Sequence, residues 1–136
     1  MAQLNPYLNF DSNCREAMNF YKDCLGGELV LQTVGEMPAM AAQMPPEFKD
    51  SVLHSTLTTG TMTIMGSDLC REKRTEGNTV HLCINCDTEE ELNSFFTKLS
   101  AGGKIIEPLA DTPWGAIYGA LTDKYNKHWM FNFQKV

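Results

Sequence analysis

A local pattern that occurs twice limits the folds open to this chain. One copy spans residues 13–31 and reads NCREAMNFYKDCLGGELVL; the other spans residues 88–106 and reads TEEELNSFFTKLSAGGKII. Apolar residues recur in both copies at the spacing of an amphipathic helix. Each copy then closes with Gly-Gly and a short apolar run, which is typical of a helix stop followed by a strand. The repeat predicts two similar modules rather than a solenoid, which would need more and shorter repeats.

Helix starts are marked in the same way in both copies. Asn13 is followed three positions later by Glu16, and Thr88 is followed by Glu91. A capping residue with Glu at this spacing favours a capping box, in which each side chain bonds the backbone N–H of the other. We therefore expect helices that begin near Asn13 and Thr88.

Strand patterns around the two helices predict one α+β domain built from two βαβββ modules. The first module covers residues 1–66, a polar linker covers residues 67–77, and the second module covers residues 78–136. The predicted strands are Leu4–Phe10, Glu28–Val34, Val52–Thr59, Thr61–Gly66, Thr79–Cys86, Lys104–Glu107 (stopped by Pro108), Gly115–Leu121 and Lys127–Gln134.

The composition argues against some classes of binding partner. The 136 residues are 43% hydrophobic and 21% charged, with a net charge of −6 and five cysteines. Without a basic run longer than the mixed residues 71–74, nucleic acid and anionic membrane surfaces are poor partners. Neither a signal peptide nor an apolar run near the ~20 residues of a membrane span is recognisable. Free thiols in a reducing, cytoplasmic compartment are the expectation.

Residues 35–50, GEMPAMAAQMPPEFKD, interrupt the strand pattern and exceed the usual loop length in a compact domain. One interpretation is an irregular surface excursion with a short helical turn. The other is a flexible flap over a pocket, in which Met37, Met40 and Met44 offer adaptable apolar contacts.

Alternation along the strands separates an apolar face from a polar one. Trp129, Phe131 and Phe133 share the face that we assign to the helices. Leu53 and Leu57 likewise oppose the polar side chains of their strand. All three histidines fall on the polar faces. If the helices cover one side of each sheet, the two curved sheets would enclose a cleft lined by these polar faces, the kind of site that binds small molecules.

Short sequence stretches spread over nearly the whole chain resemble those of a known protein family. They are YLNF at 7–10, AMNFY at 17–21, GGEL at 26–29, HSTL at 54–57, GGK at 102–104, PL at 108–109, and WG at 114–115 followed by YGALTD at 118–123 and WM at 129–130. With two βαβββ modules, the chain resembles the vicinal oxygen chelate superfamily of glyoxalase I, bleomycin-resistance proteins and extradiol dioxygenases, and within it the PhnB-like branch. That branch is also labelled 3-demethylubiquinone 3-methyltransferase-like, but no glycine-rich strand-to-helix turn supports a methyltransferase.

The resemblance implies a divalent metal held by four positions, on the first and last strand of each module. By register these fall near Asn5, Met65, His81 and Met130. Only His81 is a good ligand, because Asn is weak and thioethers do not suit Zn, Mn, Ni or Mg. The usual metal centre is therefore predicted to be dismantled, and a divalent ion is the one cofactor that the resemblance still suggests.

Each histidine has a structural interpretation beside the functional one. His81 is a metal ligand or an acid/base group, or else a hydrogen-bonded strand histidine. His54, with Thr56 beside it, lines a pocket or is structural. A non-standard centre of His54, His81 and His128 is a further alternative.

Other candidates are weaker. Trp114 and Tyr118 lie on a glycine-rich segment that can form a pocket wall. Cys83 and Cys86 have CxxC spacing, but on a strand they point to opposite faces. Asp68 and Asp123 are interpreted as turn residues.

Two function classes follow. The first is a PhnB-like protein that binds a small molecule in the cleft between the modules without a standard metal centre; its cleft residues are His54, Thr56, Met65, His81, Trp114, Tyr118 and Met130. The second is a metal-dependent lyase, isomerase or dioxygenase with His81 and His54 as altered ligands. The resemblance also implies a homodimer. Whether the protein is an enzyme is left open by the sequence.

Overall fold

A computed structural model of the chain describes residues 1–69 and 72–135. Cys70 and Arg71, which belong to the predicted free thiols and the charged run, lie outside the described residues, as does Val136. The chain divides into two compact units, Met1–Arg74 and Thr75–Val136.

The first unit is one four-stranded sheet with a long helix. The strand order is β1-β4-β3-β2, with β1 parallel to β4 and the other neighbours antiparallel. Its elements are β1 Tyr7–Asn9, α1 Cys14–Leu25, β2 Glu28–Thr33, α2 Pro38–Ala41, β3 Val52–Thr59 and β4 Met62–Ser67.

The second unit repeats this arrangement. Its sheet has the order β5-β8-β7-β6, again with one parallel pair, β5 and β8. Its elements are β5 Leu82–Asn85, α3 Glu89–Leu99, β6 Lys104–Asp111, β7 Ala116–Thr122 and β8 His128–Gln134. The predicted α+β fold of two βαβββ modules is confirmed.

The long helix of each unit, α1 or α3, covers one face of its own sheet, as the alternation predicted. Trp129 and Phe131 are 1% and 0% exposed, and the ring of Phe131 meets Phe96 of α3 edge-on at 5.4 Å. In the first unit, Met18 and Tyr21 of α1 are completely buried. Burial of each such side chain contributes about 1.5–3 kcal/mol. Each helix is thus held by its apolar face.

Both Gly-Gly stops have a steric reason. A Cβ on Gly27 would overlap the carbonyl oxygen of Thr58, and a Cβ on Gly103 would overlap that of Thr122. The first glycine of each pair has positive φ, 80° at Gly26 and 75° at Gly102, which other residues adopt at a cost. The glycine pair therefore reverses the chain and lets it pass close to a strand backbone.

The two predicted helix starts differ. The Thr88 side chain accepts a hydrogen bond from the Glu91 N–H at 3.1 Å, as predicted. The Glu91 carboxylate accepts the N–H of Asp87 at 3.1 Å, one residue before the predicted partner. Asn13 makes no capping side-chain bond. Instead the carboxylate of Asp68 accepts the N–H groups of Cys14 and Val52, both at 2.9 Å. The prediction of an Asn13 cap is wrong, because a carboxylate from the end of the module takes the capping role. Asp68 lies in the bend that follows β4.

Two other strand predictions need correction. The strand predicted to stop at Pro108 continues to Asp111. β6 is an edge strand, and its register shifts between Ile105 and Glu107 and again between Glu107 and Ala110. The second irregular interval contains Pro108, so the missing N–H interrupts little. On β3, a bulge opposite Gln32 and Thr33 makes Val52, 0% exposed, the core residue, while Leu53 is only half-buried. Leu53 was expected in the core.

Among the helices that the structure describes, none is both long and apolar enough to cross a membrane.

Replacing Gly103 by alanine tests the close approach at the glycine stop. We expect Gly103→Ala to lower the free energy of unfolding by about 1–3 kcal/mol, because the new methyl group overlaps the Thr122 carbonyl. Gly77→Ala is the matched control, since nothing lies within 4 Å of its added Cβ. Urea denaturation followed by circular dichroism measures both. Equal stabilities would contradict the steric reason.

Replacing Asp68 and Asn13 by alanine, one at a time, tests which of the two side chains stabilises the start of α1. Asp68→Ala should cost roughly 2–4 kcal/mol of unfolding free energy, because two backbone N–H groups lose a charged acceptor. Asn13→Ala should change it by less than about 0.5 kcal/mol. The reverse order in chemical denaturation would restore Asn13 as the cap.

Candidate functional site

A pocket of about 730 Å³ opens on the first unit. This volume lies within the range of pockets that hold drug-sized molecules. Its apolar lining combines sheet residues with the segment that follows β2: Met40, Met44, Phe48, Leu53 and Leu69. The pocket thus forms where the methionine-rich segment lies against the sheet.

The segment behaves structurally as a loop closed at its base. The Val34 N–H donates to the Ser51 carbonyl at 3.0 Å, and the Gly35 N–H donates to the Lys49 carbonyl at 2.8 Å. Between these ends the chain forms short helical turns, 34–36, 38–41 and 46–48. A short helical turn was one of the two interpretations of this stretch, and the structure contains three.

Two of the three methionines face the pocket. Met40 and Met44 are half-buried and line it, whereas Met37 is 41% exposed and does not. Methionine is flexible and polarisable, so a wall of two methionines adapts to ligands of different shape. The arrangement agrees with a wall over a pocket, and the mobility expected of a flap stays a prediction.

The β3 bulge also shapes the pocket. Because it moves Val52 into the core, Leu53 is free to line the pocket instead. The hydroxyl group of Ser67, 2% exposed, donates to the Leu53 carbonyl at 2.8 Å and accepts the Leu69 N–H at 2.9 Å. Ser67 therefore holds the backbone of this wall in place.

Tyr7 connects the pocket to the half-buried imidazole of His54. Its side chain is 45% exposed and lines the pocket. The Tyr7 hydroxyl lies 3.1 Å from His54 Nδ1, and His54 Nε2 lies 3.1 Å from the Thr56 hydroxyl. A neutral imidazole donates from one nitrogen and accepts at the other, and hydroxyl groups do either. The three groups form a hydroxyl–imidazole–hydroxyl chain whose outer end, Tyr7, can donate to or accept from a ligand.

Sheet pairing brings a fourth candidate to this place. Met65 is the cross-strand partner of both Tyr7 and Thr56. Three predicted site residues, His54, Thr56 and Met65, therefore gather on one face around Tyr7.

Charged groups form the other side of the pocket. An Arg74 guanidinium nitrogen lies 3.0 Å from an Asp11 carboxylate oxygen. Asp68 also lines the pocket, with its two oxygens engaged by backbone N–H groups. The guanidinium charge is thus matched by Asp11, while the Asp68 charge is met by the dipoles of two backbone N–H groups.

A smaller recess of about 460 Å³ adjoins the pocket, since both are lined by Ser12, Ser51 and Asp68. Its remaining lining is mostly charged: Asn13, Arg15, Glu16, Glu47 and Asp50. The apolar pocket therefore passes into an acidic region of the same unit.

The second unit presents the equivalent face with different chemistry. Where the first sheet has Tyr7 beside Met65, the second has Cys83 beside Met130. Two residues further along these strands, the Asn132 side-chain amide donates to the Asn85 side-chain oxygen at 3.2 Å. Tyr118 on β7 is the cross-strand partner of Asn132. Burial, with smaller contributions from Glu107 and Cys83, raises the pKa of Tyr118. Tyr118 and Met130 thus share this face.

His128 is a structural histidine. Its Nε2 donates to the Gly77 carbonyl at 2.7 Å, and its Nδ1 lies 2.9 Å from the Thr122 hydroxyl. Both nitrogens are therefore occupied. His81 is exposed just before β5, and its ring centre lies 5.4 Å from that of His128. The pairing thus brings His81 beside His128 rather than Met130.

Trp114 occupies the turn between β6 and β7 and is 68% exposed. The Gln134 side chain donates to the Trp114 and Gly115 carbonyls at 3.3 and 3.1 Å, which holds this turn against β8. Trp114 is separate from the Cys83–Met130 row, and its predicted role as a pocket wall stays a prediction.

The two buried thiols of Cys14 and Cys86 are not poised as nucleophiles. Cys83 is exposed and Cys86 is buried, so the CxxC pair is split across the strand as predicted. Burial raises the pKa of Cys86 to about 11, with smaller contributions from Glu91 and Asp87. Burial also raises the pKa of Cys14 to about 11. Both therefore remain protonated near neutral pH, whereas a nucleophilic cysteine is a thiolate. Cys14, Cys24, Cys83 and Cys86 are free.

The donor set fits a divalent metal poorly. Within residues 1–69 and 72–135, no three His, Cys, Asp or Glu side chains gather as a metal site. His54 and His128 have both nitrogens engaged in hydrogen bonds. Met65 and Met130 are soft thioethers, which do not suit Zn, Mn or Mg. Among the described residues of either unit, no donor set of the usual kind is brought together.

Sequence reasoning missed several pocket residues. Tyr7 was quoted only as part of a motif, and Phe48 and Arg74 were not singled out. Strand alternation places Tyr7 on the side opposite Leu8, but its contact with His54 depends on sheet pairing.

Asp123, predicted as a turn residue, accepts the Tyr125 N–H at 2.8 Å and also the Trp129 indole N–H at 2.8 Å.

Comparisons with known proteins agree with this fold. A family model described as Glyoxalase/Bleomycin resistance protein/Dioxygenase superfamily matches residues 3–131. Protein YjdN of Escherichia coli (strain K12) is 33% identical over 140 residues, which cover 97% of this chain and 95% of that protein.

Two solved structures extend the likeness to three dimensions. Protein PA1353 from Pseudomonas aeruginosa has a TM-score of 0.87 and 32% identity, with all of both chains covered. A PhnB protein from Bacillus cereus has a TM-score of 0.78 and 29% identity, with 97% of this chain and 99% of that chain covered.

Proposed function

Because the chain belongs to the Glyoxalase/Bleomycin resistance protein/Dioxygenase superfamily, we propose that it is a PhnB-like small-molecule-binding protein. We infer that its ligand enters the pocket of the first unit and is held without a standard divalent metal centre. The observation that carries this proposal is the 730 Å³ pocket between the sheet and the loop that carries Met40 and Met44.

Apolar contact is the main source of affinity in this proposal. The methionines, Phe48 and Leu53 offer a wall against which a ligand buries its own apolar surface. Each Å² of apolar surface removed from water contributes about 25 cal/mol. Half-buried methionines leave part of that surface available to a ligand.

Orientation is assigned to the Tyr7–His54–Thr56 chain. Tyr7 lines the pocket, and its hydroxyl lies 3.1 Å from His54 Nδ1. Since His54 accepts or donates at either nitrogen, Tyr7 accommodates both ligand donors and ligand acceptors. A single adaptable polar contact beside an apolar wall suits a receptor for small organic molecules.

The second candidate is a metal-dependent lyase, isomerase or dioxygenase that uses His81 and His54. The exposed imidazole of His81 favours it, because this side chain is accessible to a metal ion. His54 is less suitable, since a metal would have to replace the Tyr7 or Thr56 hydrogen bond. The homodimer and the cytoplasmic location expected from the sequence stay predictions.

Removing the methionine wall tests the pocket. We expect Met40→Ala with Met44→Ala to weaken binding of the neutral fluorescent probe N-phenylnaphthylamine about tenfold, because roughly 1.5 kcal/mol of apolar contact is lost. Met37→Ala is the matched control: it lies in the same loop but not in the pocket. Fluorescence titration measures the dissociation constants. Equal binding by the double variant and the control would place the probe elsewhere.

Metal content separates the two function classes. Protein purified without a histidine tag should contain only substoichiometric Zn, Ni, Mn and Fe by elemental analysis, because thioether and already bonded imidazole groups are poor ligands. Stoichiometric metal that disappears in His81→Ala or His54→Ala would contradict the proposal and support the metal-dependent enzyme.

A further inference from the structure

We propose that the ligand of this pocket is an organic cation, an amine on an apolar body of aromatic size. The inference rests on the proposed function, since it assigns a chemical class to the ligand of the same pocket. Two independent features of the first unit carry it: the shape and composition of the pocket, and the distribution of charge around it.

The apolar end of the pocket suits an aromatic or branched aliphatic body. Met40 and Met44 form one wall, and thioether sulfur atoms make favourable contacts with aromatic rings. Tyr7 and Phe48 also line the pocket and are 45% and 38% exposed, so part of their ring surface is accessible. Ring faces attract ammonium groups as well as apolar atoms.

The charged end favours a cation. In the pocket, the Arg74 guanidinium pairs with the Asp11 carboxylate at 3.0 Å. The Asp68 carboxylate instead accepts two backbone N–H groups, those of Cys14 and Val52, and within residues 1–69 and 72–135 it forms no ion pair. The adjoining recess contributes three more carboxylates and one guanidinium group: Glu16, Glu47, Asp50 and Arg15. Over pocket and recess together the acidic groups exceed the basic ones, and such a lining concentrates cations.

The two ends are connected. Ser12, Ser51 and Asp68 line both the pocket and the recess, so the apolar space opens directly onto the acidic one. A molecule with an apolar body against the methionines and an ammonium group towards Asp68 would satisfy both. A carboxylate of the same size would instead meet Asp68, Glu47 and Asp50, with like charges facing each other.

A set of three probes with one skeleton tests the charge preference. Naphthylmethylamine, naphthylmethanol and naphthoate compete with N-phenylnaphthylamine for the full-length protein at low ionic strength. We expect the amine to bind about three- to tenfold tighter than the alcohol, and the carboxylate to bind weakest. The preference of the amine should decrease as salt is added, because the recess carboxylates are exposed and therefore screened.

Charge variants locate the effect. Glu47→Gln with Asp50→Asn should weaken amine binding about threefold while alcohol binding stays unchanged. Asp23→Asn, an exposed carboxylate of α1 outside both linings, is the matched control. Asp11→Asn should act in the opposite sense on the carboxylate probe, because it releases the Arg74 guanidinium to pair with an anion.

The outcomes separate the two proposals. Tight binding of the carboxylate, or equal affinity for all three probes, would overturn the cationic ligand and leave small-molecule binding in place. Failure of N-phenylnaphthylamine itself to bind would remove the proposed function and this inference with it. Amine binding that is unchanged in the Glu47 and Asp50 variant would also overturn the inference.

Discussion

The carboxylate of Asp68 joins three parts of the first unit at one point. It accepts the N–H of Cys14, where α1 begins, and the N–H of Val52, where β3 begins, and it follows directly after β4. A charged acceptor for backbone N–H groups that would otherwise be unsatisfied contributes more than a neutral one. The start of α1, the start of β3 and one part of the pocket lining therefore depend on the same side chain.

Local pattern was sufficient for the elements and for their buried faces. The helix spacing, the glycine stops and the alternation that buries Trp129 and Phe131 all depend on neighbours within a few positions, and these predictions are confirmed. What failed depends on partners distant in sequence. Asp68 caps a helix 54 positions earlier, the bulge that exchanges Leu53 for Val52 arises from pairing with β2, and β6 continues past Pro108 because it lies at a sheet edge. Register between strands is not encoded in the pattern of either strand alone.

In the candidate site, too, local sequence pattern predicted some residues, and contacts between distant strands determined the others. His54 and Thr56 were recognisable because alternation places them on the polar face of β3. Tyr7 joins them only because β1 pairs in parallel with β4, which brings its hydroxyl to His54. The two units show how a shared frame admits different chemistry: the position of Tyr7 in one sheet is that of Cys83 in the other. Duplication thus accounts for where side chains can meet, while substitution at matched positions decides what they can do there.

The loop between β2 and β3 has a consequence for how this protein could diversify. Backbone hydrogen bonds join its two ends, Val34 to Ser51 and Gly35 to Lys49. These bonds hold the ends of β2 and β3 together whatever residues lie between them. The intervening residues contribute Met40, Met44 and Phe48 to the pocket and no strand to the sheet. Substitutions in this stretch would therefore change the pocket wall while leaving the strands of the module in place. The loop thus supplies a part of the pocket wall that is separate from the strands, whereas Leu53 and Asp68 serve the fold and the pocket together.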